Sequence, residues 1–102
     1  MGTLSSMQLT KFQQRRLANV CRRWPIAKLQ LFGSRARGTA RRNSDYDLLV
    51  YFDPRHRTSL FDLGGIYEDF VEALGASVDV VEHTPSLPRS ILNNAQTIFQ
   101  RS

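Results

Sequence analysis

The chain has 102 residues, 41% of them hydrophobic, enough for one modest core and too few for a second domain that would grip a large substrate. A single cysteine, Cys21, excludes an internal disulfide and makes a cysteine-based zinc site implausible, and no apolar run approaches the roughly 20 residues of a membrane helix. The net charge of +5 rests on arginine, with Lys11 and Lys28 the only lysines, so the surface favours phosphate, nucleic acid or an acidic protein. One domain over 1–102, without a secretory signal and cytoplasmic, is the expectation.

Ser5 and Gln8 offer a capping box, followed by Leu9, Phe12, Leu17, Val20, Cys21 and Trp24 near helical spacing. The spacing predicts a first amphipathic helix, stopped by Pro25. Residues 26–32 alternate, with Ala27, Leu29 and Leu31 on one side and Lys28 and Gln30 on the other, as in a strand. Residues 33–44 are polar, basic and glycine-containing, a loop with room for one helical turn. Residues 46–52 form a second strand, ended by Asp53-Pro54. Thr58 or Ser59 can cap a second helix with Leu60, Leu63, Tyr67, Phe70, Val71 and Leu74 as its apolar stripe and Gly75 as its stop. Residues 77–82 read as a third strand, and residues 88–99 as a last helix that packs through Ile91, Leu92, Ala95, Ile98 and Phe99. The predicted order α-β-β-α-β-α gives an α/β (α+β) fold, a small mixed sheet flanked by helices.

The chemistry concentrates in two stretches. Asp45 and Asp47 stand two apart at the start of a strand, so both carboxylates point to one face. Like charges that close call for a counter-charge, and hard oxygen donors suit Mg²⁺ or Mn²⁺. Asp79 interrupts a run of β-branched residues, where aspartate is disfavoured, on a strand able to pair beside the first two. Three such carboxylates can hold two metal ions roughly 4 Å apart, with Asp79 as the candidate general base. Gly33-Ser34 directly follows the first strand. There the glycine allows close backbone approach, and N–H groups with the Ser34 hydroxyl can hold phosphates, helped by Arg35 and above all Arg37.

Gly33 and Gly38 have P-loop spacing, but Thr39 stands where the lysine is required, so that reading fails. His56 and His83 are far apart in loop-like sequence and are expected to take no part. Tyr51 shares the strand face of Asp45 and Asp47, where it either packs or touches the nucleotide. An isolated Asp-x-Asp or Gly-Ser carries little; the combination, with Asp79 on a later strand, carries the reading.

At these residues the chain resembles the nucleotidyltransferase superfamily of the polymerase β type, and most of all its minimal members. The family pattern of Gly-Ser, ten residues and Asp-x-Asp is matched without a gap by Gly33-Ser34, Arg35 to Ser44 and Asp45-Tyr46-Asp47, with Asp79 at the third carboxylate; the resemblance covers about 26–82. It implies a mixed sheet, Asp45, Asp47 and Asp79 as metal ligands, and Ser34 on the triphosphate. It also implies an antitoxin that transfers AMP from ATP to a tyrosine of a HEPN-type toxin. A non-catalytic module that blocks its partner by stoichiometric binding is the alternative, and transfer to RNA or a small molecule ranks below both for want of a second domain.

Overall fold

The computed structural model describes residues 9–101. Helix α1 (Lys11–Arg23) is closed at its start by a reciprocal cap: Thr10 Oγ1 accepts from the Gln13 N–H and Gln13 Oε1 accepts from the Thr10 N–H, both at 3.0 Å. The capping box thus belongs to Thr10 and Gln13, while the Ser5–Gln8 pair lies outside the described residues. Leu17, Val20 and Cys21 form the buried face of α1. Burial pushes the Cys21 thiol up to about 12, against the lowering influence of Arg101 and Arg22. A thiolate that hard to form predicts no alkylation of the native protein by iodoacetamide at pH 8, and full alkylation once it is unfolded.

Strand β1 (Ile26–Phe32) runs into the five-residue helix α2 (Gly33–Arg37), and a loop then leads to β2 (Tyr46–Phe52). Helix α3 (Leu60–Leu74) starts at a second capping box, Ser59 with Asp62, and stops at the left-handed Gly75. Strand β3 (Val78–Glu82), the short helix α4 (Arg89–Leu92) and strand β4 (Gln96–Gln100) complete the order. The last segment departs from expectation: the helix is confined to four residues, and Ile98 and Phe99 lie in a strand. That strand hydrogen-bonds to the outer edge of β1, satisfying backbone groups a helix would have left unpaired there. Arg101 secures it, its side chain donating to the carbonyls of Cys21, Trp24 and Ile26 and its N–H to that of Ala27.

The sheet order is β3-β2-β1-β4, with β2 and β3 parallel and the other pairs antiparallel. Helices α1 and α3 lie against each other, and their apolar faces share one core with the strand side chains Leu29, Leu31, Leu48, Val50 and Val78. A register shift between Ile26 and Lys28 brings Ile26 rather than Ala27 into that core, reversing the parity read from sequence at the start of β1. Among the described residues no helix is long and apolar enough to cross a membrane.

Asp53 ends β2 and accepts three hydrogen bonds from Arg55, at its backbone N–H, Nε and a terminal nitrogen. Those bonds hold its carboxyl down at about 2. The stabilisation is complete above the ordinary carboxylate range and is lost as pH falls through about 2. Asp53→Asn is therefore expected to lower the melting temperature at pH 7 and to narrow its difference from the parent as the pH approaches 2, followed by circular dichroism.

Candidate active site

The sheet face away from α1 and α3 carries the polar residues in rows. Paired positions on neighbouring strands share a face, so Phe32, Asp47 and Asp79 form one row and Gln30, Leu49 and Val81 the next. Lys28 and Tyr51 begin a third row, which His83 continues one residue past β3: its ring stacks on Tyr51 with centroids 4.3 Å apart. Nothing in sequence spacing joins the two histidines, yet His56 and His83 line one cavity of about 360 Å³ with Tyr51. The parallel register, pairing Val50 with Glu82, is the signal that sets Tyr51 beside His83.

Asp47 and Asp79 are direct register partners on adjacent parallel strands, and Asp45 lies just ahead of β2. The Asp47 carboxyl titrates above its ordinary range, raised by burial first, then by the charges of Asp79 and Asp45, while Arg37 opposes them. The two other carboxylates are thus close enough to be felt, and Arg37 supplies the opposing positive charge. Among the described residues no three acidic, histidine or cysteine side chains are gathered into a ready metal cage.

Gly33 turns the chain from β1 into α2 with φ at +74°. A Cβ there would run into the Asp47 carboxyl, meeting its Cγ at 3.0 Å. The turn that carries Ser34 therefore lies directly against Asp47. Arg37 is exposed at the end of α2. Arg35 is committed elsewhere: it donates to the carbonyls of Arg42 and Ser44, and its guanidinium sits 4.1 Å from the centre of the Tyr46 ring. It clamps the loop that delivers Asp45 to the start of β2, a function sequence reasoning missed because both carbonyl acceptors lie in that loop's backbone.

A divalent cation fits this donor set. A pair of hard oxygen ligands with a third in electrostatic range, beside a turn able to present phosphate, is how such cations bind when the substrate completes their shell. The charges of Asp79 and Asp45, which add to burial in raising the Asp47 pKa, are an imbalance a cation would relieve.

Comparison with known proteins identifies the family and the fold. Residues 15–100 match the family model described as "Nucleotidyltransferase domain". A Methanocaldococcus jannaschii chain that carries the name "Putative protein adenylyltransferase" is 33% identical over 89 residues, covering 84% of this chain and 94% of the relative. The fold is shared with a toxin-antitoxin crystal structure containing AMP-PNP (TM-score 0.70, 20% identity, 86% of this chain and 73% of that one). It is shared too with the tri-AMPylated Shewanella oneidensis HEPN toxin in complex with its MNT antitoxin (TM-score 0.65, 14% identity, 91% and 74%). With the family match running from α1 to the end of β4, the chain belongs to the nucleotidyltransferase domain family and is a nucleotidyltransferase.

Proposed function

We propose that the protein transfers AMP from ATP to a hydroxyl of a protein partner, a tyrosine of a HEPN-type toxin, and acts as its antitoxin. The observation that carries the reading is the in-register pair Asp47 and Asp79 set against the Gly33-Ser34 turn. The name of the Methanocaldococcus relative, and the toxin complexes that share the fold, support a protein acceptor and an adenylyl donor.

In this reading the backbone N–H groups of Gly33 and Ser34, the Ser34 hydroxyl and the Arg37 guanidinium hold the β- and γ-phosphates. Asp45, Asp47 and Asp79 would hold Mg²⁺, two ions when full. The bound metal supplies charge neutralisation at the phosphates and lowers the pKa of the attacking hydroxyl. The acceptor oxygen attacks the α-phosphorus as the bond to the bridging oxygen breaks and pyrophosphate departs. Asp79, exposed on the edge strand, accepts the hydroxyl proton. Arg35 keeps the loop ahead of β2 in place while Arg37 remains available to the phosphates.

The test is the intact mass of a HEPN-type partner after incubation with this protein, Mg²⁺ and ATP. One or more added AMP units, absent with Asp45→Asn/Asp47→Asn, is the expected result. A stable complex without mass gain from any of the four NTPs would replace the transfer reading with stoichiometric blocking of the partner.

A further inference from the structure

Because residues 96–100 form a strand rather than a helix, the chain turns at Asn93-Asn94 and enters β4 beside α2. Two backbone bonds shape the turn: the Asn93 N–H donates to the Arg89 carbonyl at 2.8 Å and the Ala95 N–H to that of Leu92 at 3.2 Å. A third bond ties it to α2, with Gln96 Nε2 donating to the Ala36 carbonyl at 2.8 Å. A cavity of about 380 Å³ lies between the two elements, lined by Ala36, Arg37, Asn93, Asn94, Ala95 and Gln96. No carboxylate borders it, whereas the cavity between α1 and α3 has Asp69 and Glu72, and that at the end of β2 has Asp53 and Glu82. The Ala36 carbonyl, an acceptor that would repel an anion, is already engaged by Gln96. Arg37, Asn93 and Asn94 are exposed, and their side-chain donors have no hydrogen-bond or ion-pair partner among the described residues. Unpartnered donors around a space free of negative charge suit an anion with several oxygens.

Position identifies the anion. Arg37 lines this cavity and also opposes the charge on Asp47, so one side chain bears on both places. Strand β1 lies between β4 and β2, with Gln96 opposite Leu31 and Asp47 opposite Phe32. Two strand spacings therefore separate the Asn turn from the carboxylates, about 10 Å. A nucleotide that reacts at its α-phosphorus beside the carboxylates, its phosphates passing the Gly33-Ser34 turn, ends on this side of α2. We infer that Arg37 and the Asn93-Asn94 turn take the γ-phosphate of the donor nucleotide, and that the two amides make the enzyme select triphosphates over diphosphates. The inference rests on the reading of the Gly33-Ser34 turn and Arg37 as the phosphate grip. The amide N–H groups donate to γ-phosphate oxygens while Arg37 supplies charge. The same groups keep their hold on the pyrophosphate as it departs, since it retains that phosphate. The nucleoside end of the donor suits the cavity less well, because none of the six lining residues is aromatic and able to stack on a base.

The test is calorimetric binding to the full chain in Mg²⁺, with ATP, ADP, AMP and inorganic tripolyphosphate as probes, and needs no acceptor. Asn93→Ala/Asn94→Ala removes the donors without changing the charge. Both residues are exposed and the Asn93 backbone is right-handed helical, so the melting temperature is expected to match the parent's. ATP and tripolyphosphate should bind about tenfold or more weakly. AMP should bind as before, and the parent's preference for ATP over ADP should largely disappear. Asn93→Asp/Asn94→Asp keeps the side-chain shape and adds two negative charges; it should weaken tripolyphosphate further, and it carries the test if the alanine pair melts low. If both variants bind tripolyphosphate as the parent does, the γ-phosphate is held elsewhere and the functional reading stands. If AMP weakens as much as ATP, the cavity takes the nucleoside end and the inference is overturned. A parent that binds neither ATP nor tripolyphosphate would remove the inference and the reading beneath it together.

Discussion

Asp47→Asn is expected to remove nucleotidyl transfer while making the metal-free protein more heat-stable. The carboxyl sits half-buried between the charges of Asp45 and Asp79, and its pKa is raised. Between the ordinary carboxylate value and that raised value, the folded chain holds more protons than the unfolded one, so stability falls as pH climbs through the window. Above it, the full penalty for an ionised Asp47 is present. The amide carries no charge and escapes the penalty, so in EDTA at pH 7.5 the variant should melt above the parent. As pH drops below the ordinary carboxylate range the two should converge. Transfer should fall about 10²- to 10³-fold, the scale on which loss of one preorganised electrostatic partner of a transition state is felt. Mg²⁺ with nucleotide should raise the melting temperature of the parent and leave the variant nearly unmoved. A variant that melts lower than the parent in EDTA would show that Asp47 serves the fold, not the ligand.

Gly33→Ala should harm both fold and activity. At φ +74° a side chain enters the left-handed region, which costs about 1–2 kcal/mol for a residue with a Cβ. For a domain of this size that is a fall of roughly 5–15 °C in melting temperature. The added methyl also lands on the Asp47 carboxyl, so either the turn or the carboxylate must move. A displacement on the order of 1 Å at a reacting centre lowers rates about 10²-fold. The two contributions separate in a double variant: in an Asp47→Ala background the collision with the carboxyl oxygens is gone and only the backbone strain remains. Gly33→Ala should therefore be less harmful to stability there than in the parent. Equal losses in both backgrounds would mean that the turn does not bear on Asp47.

The parts of the molecule legible in the sequence are those whose pattern is set by near neighbours. The strand at 46–52 is readable because its residues are mostly aromatic and aliphatic and Asp53-Pro54 ends the run. The turn at Gly33 was readable because glycine directly follows an apolar run. What escaped reading depends on distant partners. Ile91, Leu92, Ala95, Ile98 and Phe99 have helical spacing, and locally nothing contradicts a helix except Asn93-Asn94; the strand at 96–100 exists because β1 has an unsatisfied outer edge. Leu60 and Tyr67 fit the periodicity of a buried stripe, yet they stay exposed because the core already closes over Ile66 and Phe70. The pairing of Asp47 with Asp79 was expected as a possibility of adjacent strands, and the register fixes it.

That pairing has a consequence for how the molecule comes into being. β1 and β2 are antiparallel neighbours in sequence and can close early, bringing Gly33, Ser34, Asp45 and Asp47 together through local contacts. β3 is parallel to β2, and no hairpin can supply a parallel strand; it arrives only after α3 has folded back across the sheet. In the mechanism proposed above, a nascent chain still short of residue 79 on the ribosome would hold half a site, with the Gly33-Ser34 turn and Asp47 but without Asp79 as proton acceptor. The order of synthesis would then keep the transferase silent until its crossover is shut.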